Sequence, residues 1–176
     1  MIIDEYLDYL NENKLYIPEN PLAKKFRKEN GYLWLYHKTP IRNYNSIKKY
    51  GLRTKYHATT HGEEERKHKS GKKSISYSSN KQHSMEFVGY APGAPEFDKE
   101  SREEPLLAKV PNDGLELLFN SKYYDEYESI KNISPKDIIL PSDQSYKKIE
   151  QECKYLNTKK VIYPNLIVPT LTFTVK

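Results

Sequence analysis

The run Tyr32-Leu33-Trp34-Leu35-Tyr36-His37 constrains this chain more than any other stretch. It follows Gly31 and is too short for a buried helix, so it reads as a strand. Thr39-Pro40 comes next, a helix cap and a first helical position. Ile41, Tyr44 and Ile47 then share one helical face until Gly51 ends it. The unit is strand, tight turn, helix, glycine, Leu52.

The flanking segments can be placed around that unit. Ile3, Tyr6, Leu7 and Leu10 predict an amphipathic helix over 3–14, and Asn20-Pro21 with Gly31 predict a second over 21–30, so residues 1–30 form an N-terminal helical segment. Residues 54–73 carry Glu63-Glu64-Glu65 and then five cations, Arg66, Lys67, Lys69, Lys72 and Lys73, which predicts a charged loop. Alternation around Ile75 and Tyr77 predicts a strand over 73–79, and Asn80 caps a helix running to about 89. Prolines and charges make 91–105 a long loop. Strands are predicted at 106–110, about 115–119, about 127–133 and 138–140, with Ser134-Pro135-Lys136-Asp137 as a turn. A helix over 143–156 turns Tyr146, Ile149, Cys153 and Leu156 inward. The β-rich tail from Val161 to Val175 is broken by Pro164 and Pro169, which suits an edge strand. Helices followed by strand–helix–strand–helix and then a run of strands predict a single α+β domain over residues 1–176.

Composition narrows the classes. At 176 residues the chain can bury a sizeable core, and sixteen tyrosines supply core area with a polar tip. The net charge of +5 attracts phosphate, whether of a nucleic acid or a dinucleotide. The single cysteine, Cys153, leaves no internal disulfide and suits a reducing compartment. No basic leader with an apolar core begins the chain, and no apolar run approaches a membrane span. The expectation is a soluble cytoplasmic protein without membrane contact. His57, His61 and His68 match no tetrahedral ligand spacing, so no metal is expected. Neither a Gly-x-Gly-x-x-Gly turn, a Walker loop nor a Gly-x-Ser-x-Gly elbow is present.

Three segments carry candidate chemistry. The first is Leu35-Tyr36-His37-Lys38-Thr39 with Asn45-Ser46-Ile47 and Gly51-Leu52. The second is Ile75-Ser76-Tyr77-Ser78-Ser79 with Ser84 and Phe87. The third is Glu126-Tyr127-Glu128 with Ile133-Ser134-Pro135-Lys136-Asp137-Ile138. In order and spacing they resemble the three signature regions of the ADP-ribosyltransferase superfamily, in its His–Tyr–Glu branch, which includes diphtheria-type toxins and poly(ADP-ribose) polymerases. The resemblance covers roughly residues 33–140. Phe87 stands where a Tyr is common, and Glu126 with Glu128 makes a Glu-x-Glu pair of the kind found in branches that modify arginine.

The resemblance implies a split β-sandwich of two antiparallel sheets with NAD⁺ as substrate in the cleft between them. It implies His37, Tyr77 and Glu128 as the catalytic set. His37, Thr39, Tyr77, Ser78, Ser84, Phe87 and Glu126 would contact the dinucleotide. Breaking the nicotinamide–ribose bond passes through an oxocarbenium-like state, as in glycoside cleavage, and a carboxylate beside the ribose stabilises it. Glu128 takes that role, with Glu126 the alternative acid. His37 holds the adenosine ribose, and Tyr77 and Phe87 sandwich the nicotinamide ring. Ser78 or Ser84 bonds its carboxamide. The activity implied is transfer of ADP-ribose to a protein or nucleic-acid acceptor. The alternatives are a non-catalytic NAD⁺ or ADP-ribose-binding or protein-interaction module, and an NAD-dependent RNA 2′-phosphotransferase-like enzyme, whose extra basic signature is not evident.

Overall fold

A computed structural model describes residues 19–55, 73–87, 93–120 and 125–157. The expected helix at 3–14, most of the charged loop at 54–73 and the tail at 161–175 lie outside the described residues.

The first described helix, α1 (Pro21–Asn30), begins and ends as its sequence dictates. Asn20 Oδ1 accepts from the backbone N–H of Leu22 at 2.9 Å, and Pro21 fills the first turn. Gly31 closes the helix in the left-handed region at φ +78°. Strand β1 (Tyr32–His37) follows at the expected bounds. The chain then makes a 3-10 turn (Ile41–Asn43) and helix α2 (Tyr44–Tyr50). Thr39 does not cap this turn. The Glu100 carboxylate accepts from the Ile41 N–H at 3.2 Å, so the cap comes from a distant segment. Thr39 Oγ1 instead accepts from the Asn43 side-chain amide at 2.9 Å.

Strand β2 (Ile75–Ser78) leads into helix α3 (Lys81–Met85), capped by Asn80, whose side chain accepts from the His83 N–H. This helix is shorter than the sequence suggested. The span 93–105, expected as loop, holds helix α4 (Phe97–Arg102), with Asp98 and Glu100 in its first turn and Lys99 and Arg102 in its last. Four strands complete the sheet: β3 (Leu106–Pro111), β4 (Leu115–Asn120), β5 (Asp125–Ser129) and β6 (Ile138–Ile139). Helix α5 (Tyr146–Asn157) is the last described element.

The fold is α+β. The described strands form one six-stranded antiparallel sheet in the order β4-β5-β2-β1-β3-β6, where two packed sheets were expected. Pairing along this sheet is uneven. β1 and β3 are registered over all six residues of β1, and β2 and β5 over four. Between β1 and β2 the register holds at Tyr36↔Ser78 alone. The central joint of the sheet is therefore its weakest, and beyond it the C-terminal end of β1 is not laddered to β2.

Strand alternation divides the core. Leu33 and Leu35 join Ile75, Tyr77, Leu106, Ala108, Val110 and Tyr127 in the larger cluster, which Ala23, Ile47, Leu52 and Ile133 close. Tyr36 and Leu107 join Tyr146 of α5 in a smaller cluster, with Trp34 and Ile149 packed against it. Tyr146 is fully buried, and its hydroxyl donates to Pro105 O at 2.7 Å. On the other side, Arg27 of α1 clasps the buried Glu19 carboxylate through two bonds of 2.8 Å, and Tyr127 OH donates to the same carboxylate at 2.8 Å. That ties α1 to the centre of β5. A charge-assisted bidentate pair of this kind is directional as well as strong.

Candidate functional site

A cavity of about 480 Å³ opens where β1 and β2 part, a size typical of small-molecule and cofactor sites. It draws on all three sequence segments that carry candidate chemistry. His37 and Thr39 come from the end of β1, Tyr77 and Ser78 from β2, Ser84 and Phe87 from α3 and its exit, and Glu126 from β5. Because the strands separate here, residues from both pleats of the sheet line the space.

His37 spans the parted strands. Its Nδ1 lies 2.9 Å from Ser76 O, and a carbonyl only accepts, so Nδ1 donates. In the uncharged ring, Nε2 is then the acceptor. The imidazole lies against Tyr77, with ring centroids 5.6 Å apart and planes tilted by 56°. Tyr77 is only 2% exposed, and its hydroxyl has no hydrogen-bond partner among the described residues. Burial raises its pKa, so the phenol stays a neutral donor. A buried polar atom without a partner is uncommon in a folded protein, and this one is closed to solvent inside the larger core cluster, so the ring rather than the hydroxyl borders the cavity.

The two acids separate. Glu126, 8% exposed, lines the cavity and pairs in register with Ser78. Glu128, 7% exposed, is not part of the lining. It accepts a short hydrogen bond from the hydroxyl of Ser74, which does line the cavity. The two carboxylates share one side of β5 because they are two residues apart. Glu126 therefore reaches the cavity directly, and Glu128 stands behind it through Ser74.

The hydroxyls separate as well. Ser78 Oγ donates to Asn80 O and accepts from the Asn80 N–H, each at 3.1 Å, which commits it to the turn into α3. Ser84 is buried in the cavity wall at 2% exposure, on the first turns of the short helix that Asn80 caps. Phe87 is 38% exposed and meets the His83 ring edge-on at 4.9 Å.

Several lining residues carried no functional reading in the sequence. Arg53 and Lys55 bring positive charge, and Ser74 brings the link to Glu128. Basic-polar-basic alternation in Arg53-Thr54-Lys55 was the available signal for the first two, since extended backbone sends positions i and i+2 to one side. Ser74 had no local signal, because its role depends on pairing across the sheet. Lys38 also lines the cavity. Its ammonium donates to Glu100 O at 2.6 Å and, in a shorter bond, to Glu103 O, and burial lowers its pKa against the pull of those two glutamates.

Among the described residues no group of three or more His, Cys, Asp or Glu is arranged to hold a metal ion, and no helix is long and apolar enough to cross a membrane. No model of a known protein family, no characterised protein and no solved structure matches this chain.

Proposed function

We propose that this cavity binds NAD⁺ and that the chain is an ADP-ribosyltransferase acting through Glu126. The observation that carries the reading is convergence. Three stretches spread from residue 37 to residue 126 meet around one cavity, with an imidazole, a tyrosine ring and a carboxylate in its wall. The split form of the β-sandwich belongs to the same proposal. Its support is the parting of β1 from β2 after a single registered pair, which makes the cleft.

The chemistry follows from the reaction. The bond between C1′ of the ribose and the nicotinamide nitrogen breaks, and its electron pair stays with the departing ring, which becomes neutral. The positive charge left on the sugar is met by the Glu126 carboxylate. Tyr77 packs its ring against the bound ligand, and His37 accepts from a ribose hydroxyl through Nε2. Ser84 takes the carboxamide. A nucleophile of the acceptor then bonds to C1′ and loses its proton to solvent. Glu128 is a positioning residue that holds Ser74.

The test separates binding from turnover. Nicotinamide release from NAD⁺ is measured for wild type, Glu126→Gln and Glu128→Gln, beside an NAD⁺ titration. Glu126→Gln should slow release by about 10²-fold or more with little change in affinity, because its charge acts mainly in the transition state. Glu128→Gln should lower the rate by a smaller factor. The reverse order would return the acid role to Glu128. NAD⁺ binding with no release from the wild type in the presence of cell lysate would make the chain a binding module.

A further inference from the structure

The short segment after α2 runs along the cavity wall between two isolated bridges, Leu52↔Ile133 and Lys55↔Ser74. Each is a reciprocal backbone pair. Leu52 and Ile133 exchange bonds of 3.0 and 2.9 Å, and Lys55 and Ser74 exchange bonds of 3.2 and 3.0 Å. Between them the Thr54 N–H donates to Asn132 Oδ1 at 2.9 Å, and its hydroxyl donates to the same oxygen at 3.3 Å. Thr54 is thereby turned toward the loop after β5. Arg53 and Lys55, one residue to either side, both line the cavity. The backbone that carries the two cations is fixed at three points.

Charge in the cavity is one-sided. Glu126 is its only carboxylate among the described lining residues, against Lys38, Arg53 and Lys55. Lys38 already donates to two backbone carbonyls. Arg53 and Lys55 form no ion pair with any described carboxylate, and both side chains are exposed. Two cations on a fixed strap, two residues apart on one side, suit adjacent phosphates: a guanidinium grips two oxygens in its fork, and an ammonium adds a compact charge.

We infer that Arg53 and Lys55 bind the diphosphate bridge of the dinucleotide. The identity of the ligand rests on the NAD⁺ reading above; the anion site rests on the strap. Holding the diphosphate fixes the middle of the ligand, while the ribose and ring ends meet the rest of the wall.

Affinities are measured by titration for wild type, the Arg53→Ala/Lys55→Ala double variant and Lys49→Ala, an exposed cation outside the cavity. The probes are NAD⁺, the phosphate-free nicotinamide riboside, inorganic diphosphate and a short single-stranded oligonucleotide. Thermal melting confirms that each variant folds. The double variant should lose at least about tenfold in NAD⁺ affinity, the scale of a charge-assisted bond. It should keep its affinity for nicotinamide riboside and lose the diphosphate competition seen in the wild type, and Lys49→Ala should match wild type throughout. Equal NAD⁺ affinity in wild type and double variant overturns the inference. So does a loss confined to the oligonucleotide, which would assign the strap to a nucleic-acid backbone. A wild type that binds neither NAD⁺ nor nicotinamide riboside sinks the NAD⁺ reading and the dinucleotide assignment with it. Diphosphate binding abolished in the double variant would then still support the strap as a diphosphate site, and wild-type indifference to diphosphate would remove that too.

Discussion

Tyr77 sits between the core and the cavity. Its ring belongs to the core, yet its hydroxyl lies buried with no partner among the described residues. Leaving such a group unpaired costs on the order of 1–3 kcal/mol. Tyr77→Phe removes the orphan and keeps the ring. Stability should hold or rise by up to about 1 kcal/mol in chemical denaturation, while ligand affinity stays within about twofold, because the ring that borders the cavity is kept. A clear loss of stability would mean the hydroxyl has a structural partner, and a clear fall in affinity would mean it opens to the ligand. The resemblance singled out His37, and its ring lies against Tyr77. The choice between the two acids was not legible. Glu126 and Glu128 are both glutamates on one side of one strand, and only the neighbouring chain, at Ser74, separates them.

Among the elements, the helix-ending glycine at position 51 has the tightest surroundings. Its backbone, at φ +77° and ψ −172°, occupies a region essentially restricted to glycine. A Cβ there would lie 1.9 Å from Ile133 O, inside the bridge that anchors the strap. Gly51→Ala should therefore cost at least about 2 kcal/mol, combining backbone strain with a backbone clash. Gly31→Ala is the comparison: its φ is also positive, at +78°, but nothing lies within 4 Å of the added carbon. That change should cost only about 1–2 kcal/mol for the left-handed conformation. Denaturation of the two variants side by side checks the order, and equal losses would mean the contact at Ile133 relaxes freely. A glycine stop was readable at both places. The contact that makes one of them strict was not, because Ile133 lies more than eighty residues away in the chain.

Across the whole molecule, buried phenols set the alkaline limit. Burial, followed by Glu103, Glu100 and Glu104, pushes the Tyr44 hydroxyl up from 10.0 to about 12. Burial raises Tyr77, Tyr127 and Tyr146 as well. In the unfolded chain these groups ionise near pH 10, whereas the folded chain keeps them protonated. The folded state then holds more protons, so their contribution is intact below about pH 10 and declines as pH rises through about 12. Melting temperature should fall across that window, with tyrosinate absorbance from the buried phenols rising in step with unfolding. Full ionisation of the native protein at an unchanged melting temperature would contradict the burial described here.

Local rules in the sequence determined α1 with its asparagine and glycine ends, β1, the glycine after α2, the strand around Tyr77 and the α+β class. Each rests on neighbours a few residues apart, where capping, backbone freedom and periodicity act. Tertiary structure decided the rest. The Glu100 cap on the turn after β1, the single registered pair between β1 and β2, the cavity at their parting and the exposure of Glu126 to it in preference to Glu128 all depend on chain brought in from far away. Contacts between distant segments are fixed by packing and register, and neither is written in the spacing of nearby residues.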